Sequence, residues 1–256
     1  MMTDLPLNDY RERTRRTPGA DFTTRVFEAI AVDRYVVAPS LLGDAFLAWN
    51  ARGISAVRLA GDGSNFEHWY AERFGRTIVP AREEDGTAAA AREKLRGADV
   101  EVPVDLGSCS PFEQRVLRAA ARIGAGHARP YHWVAREMGA PDATRAVGNA
   151  LGANPVPLVI PCHRVIRSDF SVGGYVFGGE AKRRLLEAEG LDFAAIGNLV
   201  GGGYKFVGCD EGYFCLPTCG DVARRLHEPG YRPLRDLADA HSHGLSPCES
   251  CRPAAA

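Results

Sequence analysis

Ile160-Pro161-Cys162-His163-Arg164-Val165 is the stretch on which the reading of this chain turns. A cysteine between proline and histidine, inside the apolar run from Val156 to Ile166, is poorly explained as packing alone. A thiol attacks only as its thiolate, and a neighbouring imidazole with nearby arginines is a common way to generate one. A buried, inert cysteine is the competing reading of the run by itself.

Working outward, the sequence changes character at Ser110. Ser110-Pro111-Phe112-Glu113 is a capping box with proline at the first helical position. The helix it opens places Val116, Leu117, Ala120 and Ile123 on one face. A second helix is expected from Pro130 to Gly139 and a third from Asp142, as N-cap, to about Gly152. With the turn between them they form a helix-turn-helix pattern. The third helix is rich in small residues (Ala143, Ala146, Gly148, Ala150), which suits close helix packing or entry into a narrow DNA groove. Arg145 is its one long cation. A last helix is expected over Glu180 to Gly190.

Residues 20–106 read as a small mixed domain. Strands are expected at Arg34–Pro39, Ala45–Trp49 and Gly53–Leu59, helices at Phe66–Phe74 and Thr87–Leu95, and a short strand at Val100–Leu106. Glu83-Glu84-Asp85 reads as a solvated turn. Residues 1–19 are polar, contain Arg13, Arg15 and Arg16, and lack the apolar core of a secretory signal. They are expected to be a disordered start in a cytoplasmic protein. No apolar run approaches membrane-spanning length. The net charge of −1 does not itself point to nucleic acid, but residues 106–190 carry 11 Lys/Arg against 7 Asp/Glu. The positive charge is therefore concentrated around Cys162.

Five of the seven cysteines lie after residue 200, and an odd total argues against a disulfide framework. Cys215-x3-Cys219 and Cys248-x2-Cys251 are two close pairs separated by 28 residues. That spacing favours a four-thiolate zinc site over a redox pair. Cys209, His227, His241 and His243 are spare candidates. A unit of this size is near the limit at which a metal is needed for folding.

Taken together, Tyr131, Arg145-Ala146-Val147-Gly148, Asn154-Pro155-Val156-Pro157, the Cys162 run, Gly174-Tyr175, and Leu185-Leu186 with Glu189-Gly190 resemble the O6-alkylguanine-DNA alkyltransferases. The resemblance is specific from Pro111 to Gly190 and weaker over the N-terminal domain. It implies an α/β (α+β) fold with three parts: a small ribonuclease-H-like mixed-sheet domain (20–106), a mainly helical catalytic domain with helix-turn-helix and active-site loop (107–192), and, after a Gly-rich linker (193–203), a zinc module (204–256). It implies a single-use enzyme that moves the alkyl group of O6-alkylguanine, or of O4-alkylthymine, from flipped-out DNA bases to Cys162. His163 would take the thiol proton, Glu189 would orient His163, Asn154 would tie the turn, and Tyr131 would donate a proton to the leaving guanine. Arg145 would fill the gap left in the base stack. Tyr175, Val165, Val176, Ala146 and Gly148 would line the substrate or DNA surface. Alkylated double-stranded DNA is the implied partner of a monomer, with no cofactor for the transfer itself.

The last module, with Phe214-Cys215-Leu216-Pro217-Thr218-Cys219 and Pro247-Cys248-Glu249-Ser250-Cys251, resembles the zinc domain of the Ada adaptive-response protein. In that domain the first cysteine also accepts methyl groups from DNA methylphosphotriesters, which by position would be Cys215. Gly220-Asp221, which follows the first pair here, would repel a phosphate. A DNA-binding protein without transfer activity is the alternative for the whole chain.

Overall fold

The computed structural model describes residues 32–62, 65–81 and 86–253. The expected disordered start and the Glu83–Asp85 turn lie outside them. The fold is mixed α and β, as expected.

Strands β1 (Asp33–Ser40), β2 (Gly43–Asn50), β3 (Gly53–Leu59) and β4 (Ile78–Pro80) form one sheet in the order β3-β2-β1-β4. β1–β2 and β2–β3 are antiparallel, and β1–β4 is parallel. Two helices accompany the sheet: α1 (Phe66–Phe74), capped by Asn65 and ended by left-handed Gly75, and α2 (Gly86–Leu95). The expected strand at 100–106 is absent. The segment only bridges Ile54 through Val104, with Ile54 N donating to the Pro103 carbonyl and Asp105 N to the Ile54 carbonyl. A proline cannot donate into a ladder, and the approach is close: a Cβ on Gly53, whose φ is +127°, would lie 2.4 Å from Pro103 O. A buried polar network of Asp33, Asn50, Ser55, Tyr70, Arg76 and Asp105 ties this domain together. Val57 N also donates to the Pro155 carbonyl at 2.9 Å, so β3 supports the turn that precedes Cys162.

The helical part begins with α3 (Pro111–Ala121). Its capping box is complete: Ser110 Oγ accepts from Glu113 N, and Glu113 Oε2 accepts from Ser110 N. β5 (Arg129–Pro130) runs into α4 (Tyr131–Glu137), and β6 (Val165–Ile166) pairs with β5 in parallel. α5 (Thr144–Gly152) completes the helix-turn-helix. It starts two residues later than expected, because Pro141–Ala143 forms a 3-10 turn and Asp142 does not cap. α6 (Gly179–Ala188) ends at Gly190, whose φ is +98°.

The stretch expected as a Gly-rich linker is mostly helix: α7 spans Phe193–Gly201. Asp192 accepts from both Ala194 N and Ala195 N, and Ile196 is buried. The Asp192 N-cap, buried Ala195 and Ile196, and half-buried Phe193, Leu199 and Val200 outweigh the glycine cost. The remaining elements are β7 (Phe206–Cys209), β8 (Tyr213–Cys215), α8 (Gly220–Ala223), β9 (Tyr231–Leu234), α9 (Leu237–Ser242) and β10 (Ser246–Pro247). Their sheet has the order β10-β8-β7-β9. Phe206, Phe214, Val222 and the four paired cysteines share one apolar core with Ala128, Ile166, Leu186 and Leu191 of the helical part. Among the described residues, no helix is long and apolar enough to cross a membrane.

Candidate active site

Cys162 opens a 3-10 turn (Cys162–Arg164) and is buried, as is His163. Asn154, eight residues earlier, reaches back into this turn. Its Nδ2 donates to Cys162 Sγ and to the Ile160 carbonyl, each at 3.1 Å, and its Oδ1 accepts from Val156 N at 3.0 Å. Burial pushes the Cys162 thiol up from its ordinary value, while the Asn154 hydrogen bond and the Lys182 ammonium act the other way. The resting group is therefore a thiol, and its attack requires a base.

His163 follows Cys162 in the same buried turn. Burial lowers its pKa against the opposing pull of Glu189, so the imidazole is neutral at pH 7. Nε2 lies 3.1 Å from Glu189 Oε1, and Nδ1 is buried without a protein partner. Burial would raise the Glu189 carboxyl, but the hydrogen bonds from His163 and Arg164 hold it at about 2. Arg164 contacts both carboxylate oxygens at 2.8–3.0 Å and donates to the Ile123 carbonyl at 2.6 Å. The cost of a glutamate at a helix C-terminus is offset by this clamp. Arg164 was not singled out from the sequence, where a cation beside the histidine carries no sign of its partner 25 residues away.

A cleft of about 220 Å³ opens over the thiol. Tyr131, Gly148, Leu151, Gly152, Cys162, Gly174, Tyr175 and Val176 line it, so four of the expected site residues meet the thiol there. Burial raises the Tyr131 phenol above its ordinary value, which keeps its proton in place. Gly148 faces the Tyr131 ring, and a Cβ there would sit 3.8 Å from it, in ordinary van der Waals contact. Val176 is half exposed at the cleft rim. Arg145 and Ala146 do not line the cleft; both are exposed on α5 beside it. Val165 is the exception to the expected set. Its side chain is fully buried, and its carbonyl accepts from Lys182 Nζ. Lys182 is itself fully buried, donates also to the Gly174 carbonyl, and has its pKa lowered by burial to about 8. Nothing in the sequence marks it, because lysine on a helix normally faces water.

The match to known proteins is now decisive. Residues 111–191 match the family model of the 6-O-methylguanine DNA methyltransferase DNA-binding domain. A methylated-DNA–protein-cysteine methyltransferase of Mycobacterium leprae is 37% identical over 145 residues, covering 53% of this chain and 87% of that one. The chain belongs to the methylated-DNA–protein-cysteine methyltransferase family. The methyltransferase of Methanothermobacter thermautotrophicus is 44% identical over 100 residues, covering 38% of this chain and 56% of the relative. The bifunctional transcriptional activator/DNA repair enzyme Ada of Escherichia coli is 32% identical over 166 residues, covering 63% and 46%. The chain thus spans about half the length of these two curated relatives. A crystal structure of a substituted Mycobacterium tuberculosis OGT is 31% identical with a TM-score of 0.51, covering 62% of this chain and 93% of that one. The DNA-binding part of a methyltransferase accounts for the helix-turn-helix beside the thiol.

This methyltransferase-family chain carries a second cluster. Sγ atoms of Cys215, Cys219, Cys248 and Cys251 all lie within 4.8 Å of one another, and all four residues are buried. Tetrahedral zinc with thiolates at ~2.3 Å sets its sulfurs about 3.8 Å apart, so the group fits a metal of this kind. Cys209 is buried but outside the group of four. His227 pairs with Asp192, and His243 with Asp239. Leu216 N donates to Cys251 Sγ, and Arg129 reaches Cys219 Sγ at 3.9 Å. With a metal bound, these donors would offset the negative charge of four thiolates.

Proposed function

We propose that this chain is a DNA-repair alkyltransferase that transfers the alkyl group of O6-alkylguanine in duplex DNA to its own Cys162, once, acting as a monomer. The observation that carries this reading is the cleft in which Cys162, tied by Asn154, faces Tyr131 next to the His163–Glu189–Arg164 relay. The target atom is inside the duplex, so the base has to be flipped out to reach a buried thiol. Exposed Arg145 at the start of α5 is suited to fill the gap in the stack.

The transfer balances as follows. The thiol proton passes through water to His163, whose cation is stabilised by Glu189. The Cys162 sulfur attacks the alkyl carbon in line; the S–C bond forms as the C–O6 bond breaks. The electron pair moves into the guanine ring, and Tyr131 donates the proton that leaves guanine neutral. The product is a thioether, which no residue in the cleft can cleave, so the protein is consumed.

Zinc is the metal that best suits the four-cysteine cluster, where Cys215, Cys219, Cys248 and Cys251 would hold it in a structural role. A methyl-acceptor role for Cys215 is disfavoured because the Asp221 carboxylate, 3.4 Å from Cys219 Sγ, sets negative charge beside the cluster and would repel a phosphate.

Incubation with duplex DNA containing O6-methylguanine tests the reading. It predicts the mass of one CH2 added to the Cys162 peptide, in a burst that stops at one equivalent. Bound DNA with an unlabelled Cys162 peptide would instead support lesion binding without transfer. The same digest of protein treated with methylphosphotriester DNA reads the Cys215 peptide.

A further inference from the structure

Tyr131 follows directly on β5, and the segment around β5 is held from two sides. On one side β5 pairs with β6, the strand that leaves the Cys162 turn. On the other it is bound by the four-cysteine cluster. Ala128 N donates to the Thr218 carbonyl at 2.8 Å, and Thr218 Oγ1 donates back to the Ala128 carbonyl at 2.9 Å. Arg129 donates to Ser250 Oγ at 3.2 Å. Trp133 Nε1 donates to the Cys251 carbonyl at 3.0 Å, with the Arg252 guanidinium 5.5 Å from its ring centre. Thr218 and Ser250 are each adjacent to a cysteine of the cluster. The loops that carry the four thiols are therefore the loops that grip residues 128–133.

The module also reaches the other end of the relay. Arg224 donates to the Glu189 carbonyl at 3.1 Å and packs on Gly126 and Gly190, where a Cβ would come within 2.3 and 2.8 Å of its side chain. Gly126 N in turn donates to Glu189 Oε2. A module that was only tethered would not need bonds to both sides of the cleft.

We propose that the C-terminal four-cysteine module is a brace for the alkyl-transfer site: through Thr218, Arg129 and Trp133 it sets Tyr131 against Cys162, and the metal-loaded cluster is required for the full transfer rate. This rests on the alkyltransferase reading. Arg129 and Trp133 are positioning residues; neither lines the cleft. Proper placement of a proton donor is sensitive to shifts of an ångström, which can cost orders of magnitude in rate.

The test uses the full chain loaded with zinc. Hydrogen exchange is followed by mass spectrometry before and after the zinc is removed with a chelator. The brace predicts that the amides of 128–134 exchange at least about tenfold faster without metal, while β2 and β3 are unchanged. Trp133→Phe keeps a ring but removes the donor to Cys251. It is expected to slow single-turnover transfer about tenfold. In a Tyr131→Phe background the same change is expected to add little, because its effect passes through Tyr131. Thr218→Val repeats the cycle from the other side of the grip. Unchanged exchange at 128–134 after metal removal, or rate losses that simply multiply in the double variants, would overturn the brace. A wild-type protein that never labels Cys162 overturns the alkyltransferase reading instead, and the exchange result stands apart from it.

Discussion

The Asn154 amide nitrogen lies 3.1 Å from the Cys162 sulfur and 3.1 Å from the Ile160 carbonyl oxygen, so one side chain fixes both the thiol and the turn that presents it. The opposite end of the same amide accepts from Val156 N. A single residue thereby satisfies a buried backbone donor, a buried acceptor and the Cys162 sulfur.

Asn154→Asp keeps the acceptor for Val156 but replaces the donor facing sulfur with negative charge. The Cys162 thiol should titrate at higher pH and transfer should slow by about a hundredfold, with modest loss of stability. Asn154→Ala should add about 1–3 kcal/mol of destabilisation, because Val156 N loses its partner in a buried site. Single-turnover rates against pH, with denaturant unfolding of both variants, separate the two effects.

Glu189 predicts an acid-labile fold. Its folded pKa of about 2 lies below the ordinary 4.5, so its contribution is complete above pH 4.5 and is lost as the pH falls toward 2. For a largely buried carboxylate that contribution is on the order of 3 kcal/mol. Glu189→Gln should flatten the stability profile across this window, as followed by urea unfolding at stepped pH. Arg164→Met leaves the carboxylate partly buried without its clamp and should destabilise by about 3 kcal/mol at pH 7.

Arg145 is exposed on α5, so Arg145→Ala should leave the melting temperature unchanged. Transfer from duplex DNA should fall by about tenfold or more if the guanidinium supports base extrusion. The salt dependence of binding should weaken by about one phosphate contact if it also meets the backbone. Titration at several salt concentrations, alongside transfer from single-stranded DNA, tells extrusion from simple attraction. Equal losses on single- and double-stranded substrates would rule out a stack-filling role.

Cys251→Ser removes one of the four clustered thiols and puts a hydroxyl into a fully buried position. The purified variant should contain less than the about one zinc per chain expected of the native protein, and should unfold at lower temperature. Elemental analysis together with calorimetry checks both. Native-like melting with no bound metal would show that the module folds on its apolar core alone.

The sequence by itself, through its resemblance to the alkyltransferases, singled out Cys162, His163, Asn154 and Glu189, which folding joins by hydrogen bonds, and the spacing of the cysteine pairs singled out the four that cluster. It also determined the regular elements with strong local signals, such as the Ser110 capping box and the alternating strands of residues 33–59. It misread Phe193–Gly201 as linker, since glycine content was weighed without the Asp192 cap and the burial of Ile196. It missed the role of Arg164, and it missed Lys182 altogether, because a buried cation is recognised only by the acceptors folding brings to it: Glu189 for one, the carbonyls of Val165 and Gly174 for the other. The tertiary structure alone decided that the cysteine module is built into the helical part that carries Cys162. Contacts such as Trp133 to Cys251 join residues 118 apart, and no local propensity encodes a hydrogen bond of that separation.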